Sequence, residues 1–216
     1  MSARRVTIVD YGIGNLLSAA RALSHCGADV ELTGRPEAIA AADRLVLPGV
    51  GAFADCMRAL AGHDVAVPVR EFAASGKPLL GICVGMQMLF DSSEEFGEHP
   101  GLGLMPGCIK LIPDTTTSGA QQKVPHIGWT SVQPMAGEEG TWAGSILETS
   151  RPGSEFYFLH SYTAWPDQEA HRMADADYGG RRISAVVRNG NIYGTQFHPE
   201  KSGRNGLAVL ARFLAG

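Results

Sequence analysis

Cys83 stands at the centre of Gly81-Ile82-Cys83-Val84-Gly85, after an apolar run that starts at Lys77. Glycines two residues before and two residues after a nucleophile are the layout of a strand-to-helix elbow, here with a thiol in the hydroxyl position. A turn that sharp strains the central residue, and the glycines let neighbouring backbone pass close by. The side chain then projects above the carboxyl end of the sheet, where open α/β sheets carry their sites. The first N–H groups of the following helix favour negative charge on the sulfur. The N–H of Val84 points at a developing oxyanion. In a chain with 27 glycines the pentapeptide alone is weak evidence. Its strand-turn-helix context strengthens it.

A thiol nucleophile needs a base, and the base needs a group that orients it. Seven histidines are available, and His198 is set apart by its neighbours in His198-Pro199-Glu200. It follows the apolar segment Ile192 to Phe197, so it falls at a strand end. Pro199 biases His198 toward an extended backbone, in which residues i and i+2 face the same side. The Glu200 carboxylate then reaches one ring nitrogen and leaves the other for Cys83, which is triad logic with acid and base almost adjacent in sequence. The plainer alternative is that Glu200 caps the last helix or pairs with Lys201. His160 competes as base but has no carboxylate at i±2. His126 reads as structural or as part of an interface. His25, His63, His99 and His171 sit in surface-like contexts.

Composition narrows the function classes. The 216 residues fit one domain, 1–216, with an ordinary globular composition and a formal charge of −4. That balance offers no basic excess for nucleic acid. No apolar stretch approaches a membrane span, and the run Val6 to Val9 is too short for a signal peptide. Cys26, Cys56, Cys83 and Cys108 contain no C-x-x-C pair and no zinc spacing, so no metal is expected. Reduced thiols in a cytoplasmic protein are the expectation. Cys26 and Cys56 read as small hydrophobes in helices, and Cys108 as a core position on a strand.

Two glycine motifs raise a rival. Gly12-Ile-Gly14 follows the first strand but has Leu17 at its third glycine position, with Glu31 near the place of a ribose-binding acid. Gly49-Val-Gly51 with Ala54 satisfies G-x-G-x-x-A and would imply an NAD-type cofactor, although Pro48 sits badly before such a turn. Titration with NAD(H) separates that reading from a cofactor-free cysteine enzyme.

The elements that must position these groups alternate in the first half. Strands are expected at Arg5 to Asp10, Val30 to Leu32, Arg44 to Leu47 (stopped by Pro48-Gly49) and Lys77 to Cys83. Helices are expected from Asn15, as cap, to His25, and at Pro36 to Ala42, Phe53 to Leu60, Val65 to Ala74 and Gly85 to Phe90. Continuous apolar strands separated by helices indicate a mostly parallel sheet covered on both faces. The second half changes to an additional antiparallel β region. Strands are expected at Leu102 to Ile112, His126 to Val132, Glu155 to Ala164, Ile183 to Arg188 and Asn191 to Gln196. Asn189-Gly190 signals a hairpin, and a helix runs from Asn205 to Leu214. Asp114 to Gln122 reads as a polar loop, and Gly137 to Gly153 is left open.

Gly-Ile-Cys-Val-Gly-Met-Gln (81–87) with Gln-Phe-His-Pro-Glu-Lys-Ser (196–202) resembles the class I, or triad, glutamine amidotransferases. Asp10-Tyr-Gly-Ile-Gly-Asn15, Pro48-Gly-Val-Gly-Ala-Phe53, Val124-Pro-His-Ile-Gly-Trp129 and Phe158-Leu-His-Ser-Tyr162 look like the glutaminase subunits of imidazole glycerol phosphate synthases. The resemblance spans nearly the whole chain. It implies a flavodoxin-like α/β fold and hydrolysis of L-glutamine to glutamate and ammonia without a cofactor. It also implies a (β/α)8-barrel cyclase subunit as partner in a heterodimer of histidine biosynthesis. Carried over by position, Cys83 is nucleophile, His198 base and Glu200 orienter. Gly49, Val50 and Gly51 form an oxyanion strand, with Val84 N–H as second donor. Gln87, Ser161 and Tyr162 contact glutamine, and Asn15, Trp129, Tyr157 and Lys201 meet the partner. No phosphate-binding G-x-x-x-x-G-K-[ST] loop is present to hold an acceptor. Uncoupled hydrolysis would waste glutamine, so the free subunit is expected to be nearly inactive. Another cysteine-triad hydrolase of the same fold, acting on peptides or γ-glutamyl substrates, is a rival, and other amidotransferases of the class are the nearest alternatives.

Overall fold

A computed structural model describes residues 4–135 and 142–216. Of the stretch 137–153, residues 137–141 lie outside the described residues. The first half alternates as β1 (Arg4–Val9), α1 (Leu16–His25), β2 (Ala28–Thr33), α2 (Pro36–Ala40), β3 (Leu45–Gly49), α3 (Phe53–Gly62), α4 (Ala66–Ala74), β4 (Leu79–Cys83) and the single turn α5 (Val84–Gln87). Strands β3 and β4 are buried at every position, as interior strands of a parallel sheet covered on both faces must be. The longer helices bury one stripe each, whereas α5 is buried all round. On α1 the stripe is Ala19, Ala22 and Leu23, spaced three and four residues apart.

The second half contributes β5 (Phe90–Ser93), β6 (His99–Pro100), β7 (Met105–Leu111), β8 (His126–Pro134), β9 (Ser154–His160), β10 (Tyr162–Pro166), β11 (Arg172–Tyr178), β12 (Arg181–Asn189), β13 (Ile192–Thr195) and α6 (Gly203–Ala215). A nine-stranded sheet runs β2-β1-β3-β4-β13-β12-β11-β8-β9. Its first five strands are parallel, and the pairs from β13 to β9 are antiparallel. A second sheet of four strands runs β10-β7-β5-β6. The hairpin between β12 and β13 pairs Asn189 with Ile192. Its turn is therefore Gly190-Asn191, one residue later than the Asn-Gly signal, with Gly190 at φ +59°.

Several features differ from the sequence expectation. The helix after Cys83 ends at Gln87 instead of Phe90, because the carbonyls of Met88, Leu89 and Phe90 accept from the N–H groups of Leu102, Leu104 and Gly103. Phe90 therefore opens β5. The run Glu155 to Ala164 is two strands in different sheets, β9 against β8 and β10 against β7, with the break at Ser161. Its apolar pattern continues through the corner and hides it. Strand β11 was not expected, since Arg-Met-Ala-Asp-Ala-Asp-Tyr has little β propensity. It forms between β8 and β12, where Arg172 and Arg182 both pair with the buried Asp175. The side chain of Asn15 stands at the N-cap of α1 but makes no capping bond.

The elbow depends on glycine packing. A Cβ on Gly85 would run into the carbonyl oxygen of Leu47, and one on Gly81 would lie 2.6 Å from the Gly85 oxygen. Gly85→Ala is expected to destabilise the chain by about 1–3 kcal/mol through this overpacking. At Gly62, near the end of α3, a Cβ meets nothing within 4 Å, so Gly62→Ala is expected to be neutral or stabilising. Urea unfolding of both variants checks the contrast.

Candidate active site

Cys83 is the last residue of β4 and the N-cap of α5, with φ +56° and ψ −113°. A non-glycine residue in that region is strained, and strain of this kind persists only where the surroundings impose it. Three close approaches impose it here: Gly81 against Gly85, Gly85 against β3, and Gly49 against Val84. Gly49 is also the register partner of Cys83 across β3 and β4. With only one turn, α5 adds little macrodipole. The charge partner of the sulfur is instead an imidazole.

His198 follows β13, which lies parallel to β4 with Thr195 opposite Ile82. The backbone N–H of His198 donates to the Tyr157 carbonyl (2.9 Å), and the Ser202 hydroxyl donates to the His198 carbonyl (2.6 Å). The ring is buried, and its Nδ1 meets Glu200 Oε1 at 2.9 Å. Glu200 is buried as well, pairs with His198 and not with Lys201, and stands in the 3₁₀ turn Pro199–Lys201. Ser202 holds the N-cap position of α6 instead. Burial disfavours the imidazolium. Hydrogen bonds to Cys83 and Glu200, with charge attraction to both, outweigh it and raise His198 to about 10. The ring is thus held charged at neutral pH between a sulfur and a carboxylate. Such a pair can attack a carboxamide carbon and hand a proton to the leaving nitrogen.

A cleft of about 270 Å³ opens over Cys83. Val50, Gly51, Val84, Gln87, Ser161, Tyr162, His198 and Lys201 all face it. Gly49, Glu200 and Asn15 lie behind, around a void of about 10 Å³. Asn15 Nδ2 reaches Glu200 Oε1 at 3.4 Å, so this side chain supports the carboxylate. Trp129 and Tyr157 are register partners on β8 and β9, with rings edge to face at 6.1 Å. Trp129 is 54% exposed. Gln87 spends its amide hydrogens on the Tyr162 carbonyl (3.0 Å) and on Gln196 Oε1 (3.2 Å), so only its oxygen is left for a ligand.

Sequence reasoning missed several lining groups. Glu95 brings a carboxylate to the cleft and accepts from Phe53 N–H at 2.6 Å. Nothing in Ser93-Glu94-Glu95 marks it, because its partner is 42 residues away. His160 also lines the cleft, yet both ring nitrogens are engaged. Nδ1 lies 2.8 Å from the Tyr162 carbonyl, which only accepts, so Nδ1 carries the proton. Nε2 must then accept from His126 Nδ1 at 3.1 Å, and His126 Nε2 accepts from the Thr130 hydroxyl at 2.7 Å. Burial pushes His160 down to about 3 and His126 down to about 4. His160 is therefore a neutral donor and not a free base.

The other cysteines lie off the cleft. Cys26 is the C-cap of α1, and its thiol donates to the Leu207 carbonyl. Cys56 is buried in α3 and donates to the Val50 carbonyl. Cys108 is only half-buried, with its sulfur turned to Glu94, so it is not the core position expected from sequence. The dinucleotide reading also loses its footing. Glu31 is paired with Arg5 and Arg35, and Gly49 packs against the elbow, leaving no room for a pyrophosphate.

The fold and cleft define a class. The family model described as Glutamine amidotransferase class-I matches residues 7–215, and the chain belongs to that family. It is 50% identical over 210 residues to the imidazole glycerol phosphate synthase subunit HisH 1 of Legionella pneumophila (strain Lens), covering 97% of this chain and 98% of the relative. It is 44% identical over 211 residues to the HisH subunit of Moorella thermoacetica, covering 97% and 94%. Among solved structures, PurLQS from Thermotoga maritima superposes with a TM-score of 0.72 at 22% identity, covering 99% of each chain, a likeness of fold.

Imidazole NMR checks the charge assignment. His198 is expected to be charged at pH 8 and to lose its proton only near 10, whereas His160 and His126 stay neutral on acidification until about 3 and 4. These two buried rings bind fewer protons folded than unfolded below their ordinary value of 6.5. They therefore make stability fall as pH drops through that value. A neutral His198 at pH 8 contradicts the assignment.

Proposed function

We propose that the chain is the glutamine-hydrolysing subunit of an imidazole glycerol phosphate synthase, acting through Cys83, His198 and Glu200. The observation that carries this is His198, with Nδ1 2.9 Å from Glu200 Oε1, lining the same cleft as Cys83. Family membership and 44–50% identity to HisH subunits support the substrate and the pathway. The match over 7–215 supports one amidotransferase domain across 1–216.

In this reading the sulfur attacks the carboxamide carbon of L-glutamine. The Val84 N–H and the Gly49–Val50–Gly51 backbone receive the oxyanion. His198 passes its proton to the leaving nitrogen, which departs as ammonia and leaves a γ-glutamyl thioester on Cys83. Water then attacks the thioester while His198 takes its proton, the sulfur leaves as thiolate, and glutamate is released with the Cys83–His198 pair restored. Glu200 fixes the imidazole through both steps. Gln87 Oε1, Ser161 and Tyr162 face the substrate, and Glu95 supplies a negative wall suited to its ammonium group.

Ammonia released into water is largely protonated and lost as a nucleophile, so the reaction calls for a second subunit that receives it. Ile127, Trp129 and Leu159 on β8 and β9 and Val50 beside the cleft are exposed large apolar side chains. They support a docking face there, with Tyr157 and Lys201 alongside and Asn15 behind. The partner is a (β/α)8-barrel cyclase that makes imidazole glycerol phosphate and aminoimidazole carboxamide ribotide, both proteins being cytoplasmic. Among the described residues no helix is long and apolar enough to cross a membrane.

Cys83→Ala in the complex is expected to abolish glutamine-dependent synthesis, a loss of about 10³-fold or more, while synthesis from ammonium salts persists. Loss of both activities would contradict a nucleophilic role. The isolated subunit is expected to hydrolyse glutamine far more slowly than the complex, as steady-state glutamate release will read. Equal rates would remove the case for an obligate partner.

A further inference from the structure

Gln196 is fully buried, and the mechanism above does not use it. Its backbone N–H donates to the Ala185 carbonyl at 2.9 Å. The register of Thr195 opposite Ile82 sets it beside Cys83, 113 residues away in sequence. The orientation of its carboxamide can be deduced from a single fixed point. The Tyr162 carbonyl has no hydrogen to give, so the Gln87 atom 3.0 Å from it must be the NH₂ group. That same NH₂ group lies 3.2 Å from Gln196 and must meet its oxygen. The other end of Gln196, its NH₂, is then the end that faces Cys83 Sγ, at 3.8 Å. Turning the Gln196 amide over would set NH₂ against NH₂ on one side. On the other it would set a carbonyl oxygen against the sulfur.

The anchor itself is held twice. The second lone pair of the Tyr162 carbonyl takes the Nδ1–H of His160, which is fixed in that tautomer by His126 and Thr130. A run of neutral groups thus leads from Thr130 on β8 to the sulfur, and every donor in it has one direction only.

We propose that Gln196 is a positioning residue that supplies a fixed N–H donor to the Cys83 sulfur and so favours its thiolate. This rests on the reading of Cys83 as nucleophile. The sulfur has a competing neighbour: the Leu159 carbonyl lies at 3.8 Å and can accept only from the protonated thiol. Gln196 and His198 stand against that carbonyl, and hydrogen bonds to a charged acceptor are the stronger kind.

The test reads the sulfur directly. Iodoacetamide alkylation of Cys83 in the full chain is followed by mass spectrometry of the peptide that contains it, which separates it from Cys26, Cys56 and Cys108. Gln196→Met keeps length and removes the donor. Gln196→Glu keeps the shape and puts an oxygen where the NH₂ was, should the first variant fold poorly. Each is expected to slow alkylation near pH 7 by about tenfold relative to wild type. The rates should converge at strongly alkaline pH, where thiols ionise without help from a donor. Equal slowing at both pH values, or none at either, overturns the proposal, since a loosened fold changes access at every pH. The assay needs no turnover, so it is independent of the Cys83→Ala experiment. Retained glutamine-dependent synthesis in Cys83→Ala would defeat the functional reading, whereas an unchanged alkylation profile in the Gln196 variants would defeat only this one.

Discussion

The parallel pairing of β13 with β4 is the constraint on which the cleft depends. Four register pairs, from Ile192 opposite Leu79 to Thr195 opposite Ile82, run the end of the chain alongside the strand that ends at Cys83. From that register follow the place of Gln196 beside the sulfur, the exit of His198 above the sheet and the short turn that returns Glu200 to the ring. A shift of one residue would turn every side chain of β13 to the other face of the sheet. Gly194 guards the register from below, because a Cβ there would collide with Met86. The hairpin from β12 and the bond from His198 N–H to Tyr157 fix the strand at its two ends.

Against this frame the elbow is a local cost borne by global packing. A non-glycine residue at φ +56° costs on the order of 1–3 kcal/mol. Fully buried β3 and β4 on either side of the turn leave the chain no relaxed alternative. The same closeness brings the sulfur to an imidazole that burial alone would have neutralised. The charge on His198 depends on two partners, one from β4 and one from its own turn. The buried pair His126 and His160 shows the opposite outcome. With only neutral partners, the same burial leaves both rings uncharged.

Groups whose meaning is local were legible in the sequence. The glycines about Cys83 and the alternation of apolar strands with helices follow from short-range sterics and period, whereas the pairing of His198 with Glu200, expected of an extended chain, is made by a 3₁₀ turn at Pro199–Lys201. What escaped was set by distant contacts. Carbonyls of Met88, Leu89 and Phe90 captured by residues 102–104 cut short a helix that propensity would continue. The corner at Ser161 divides one apolar run between two sheets. Asn15 looks like a helix cap in sequence, but its amide reaches a carboxylate 185 residues on. Glu95 and Gln196 carry no local mark at all, since a half-buried carboxylate or a buried amide acquires its role from what the fold sets against it.

As the proposed nucleophile, Cys83 is set apart from the other three thiols by where the sheet presents it. A diazo ketone analogue of glutamine tests this most directly, since it alkylates only a nucleophile that binds the substrate's shape. One adduct is expected, on the Cys83 peptide of the complex and suppressed by excess glutamine. Adducts on Cys26, Cys56 or Cys108, or labelling of Cys83 that glutamine does not suppress, would contradict it.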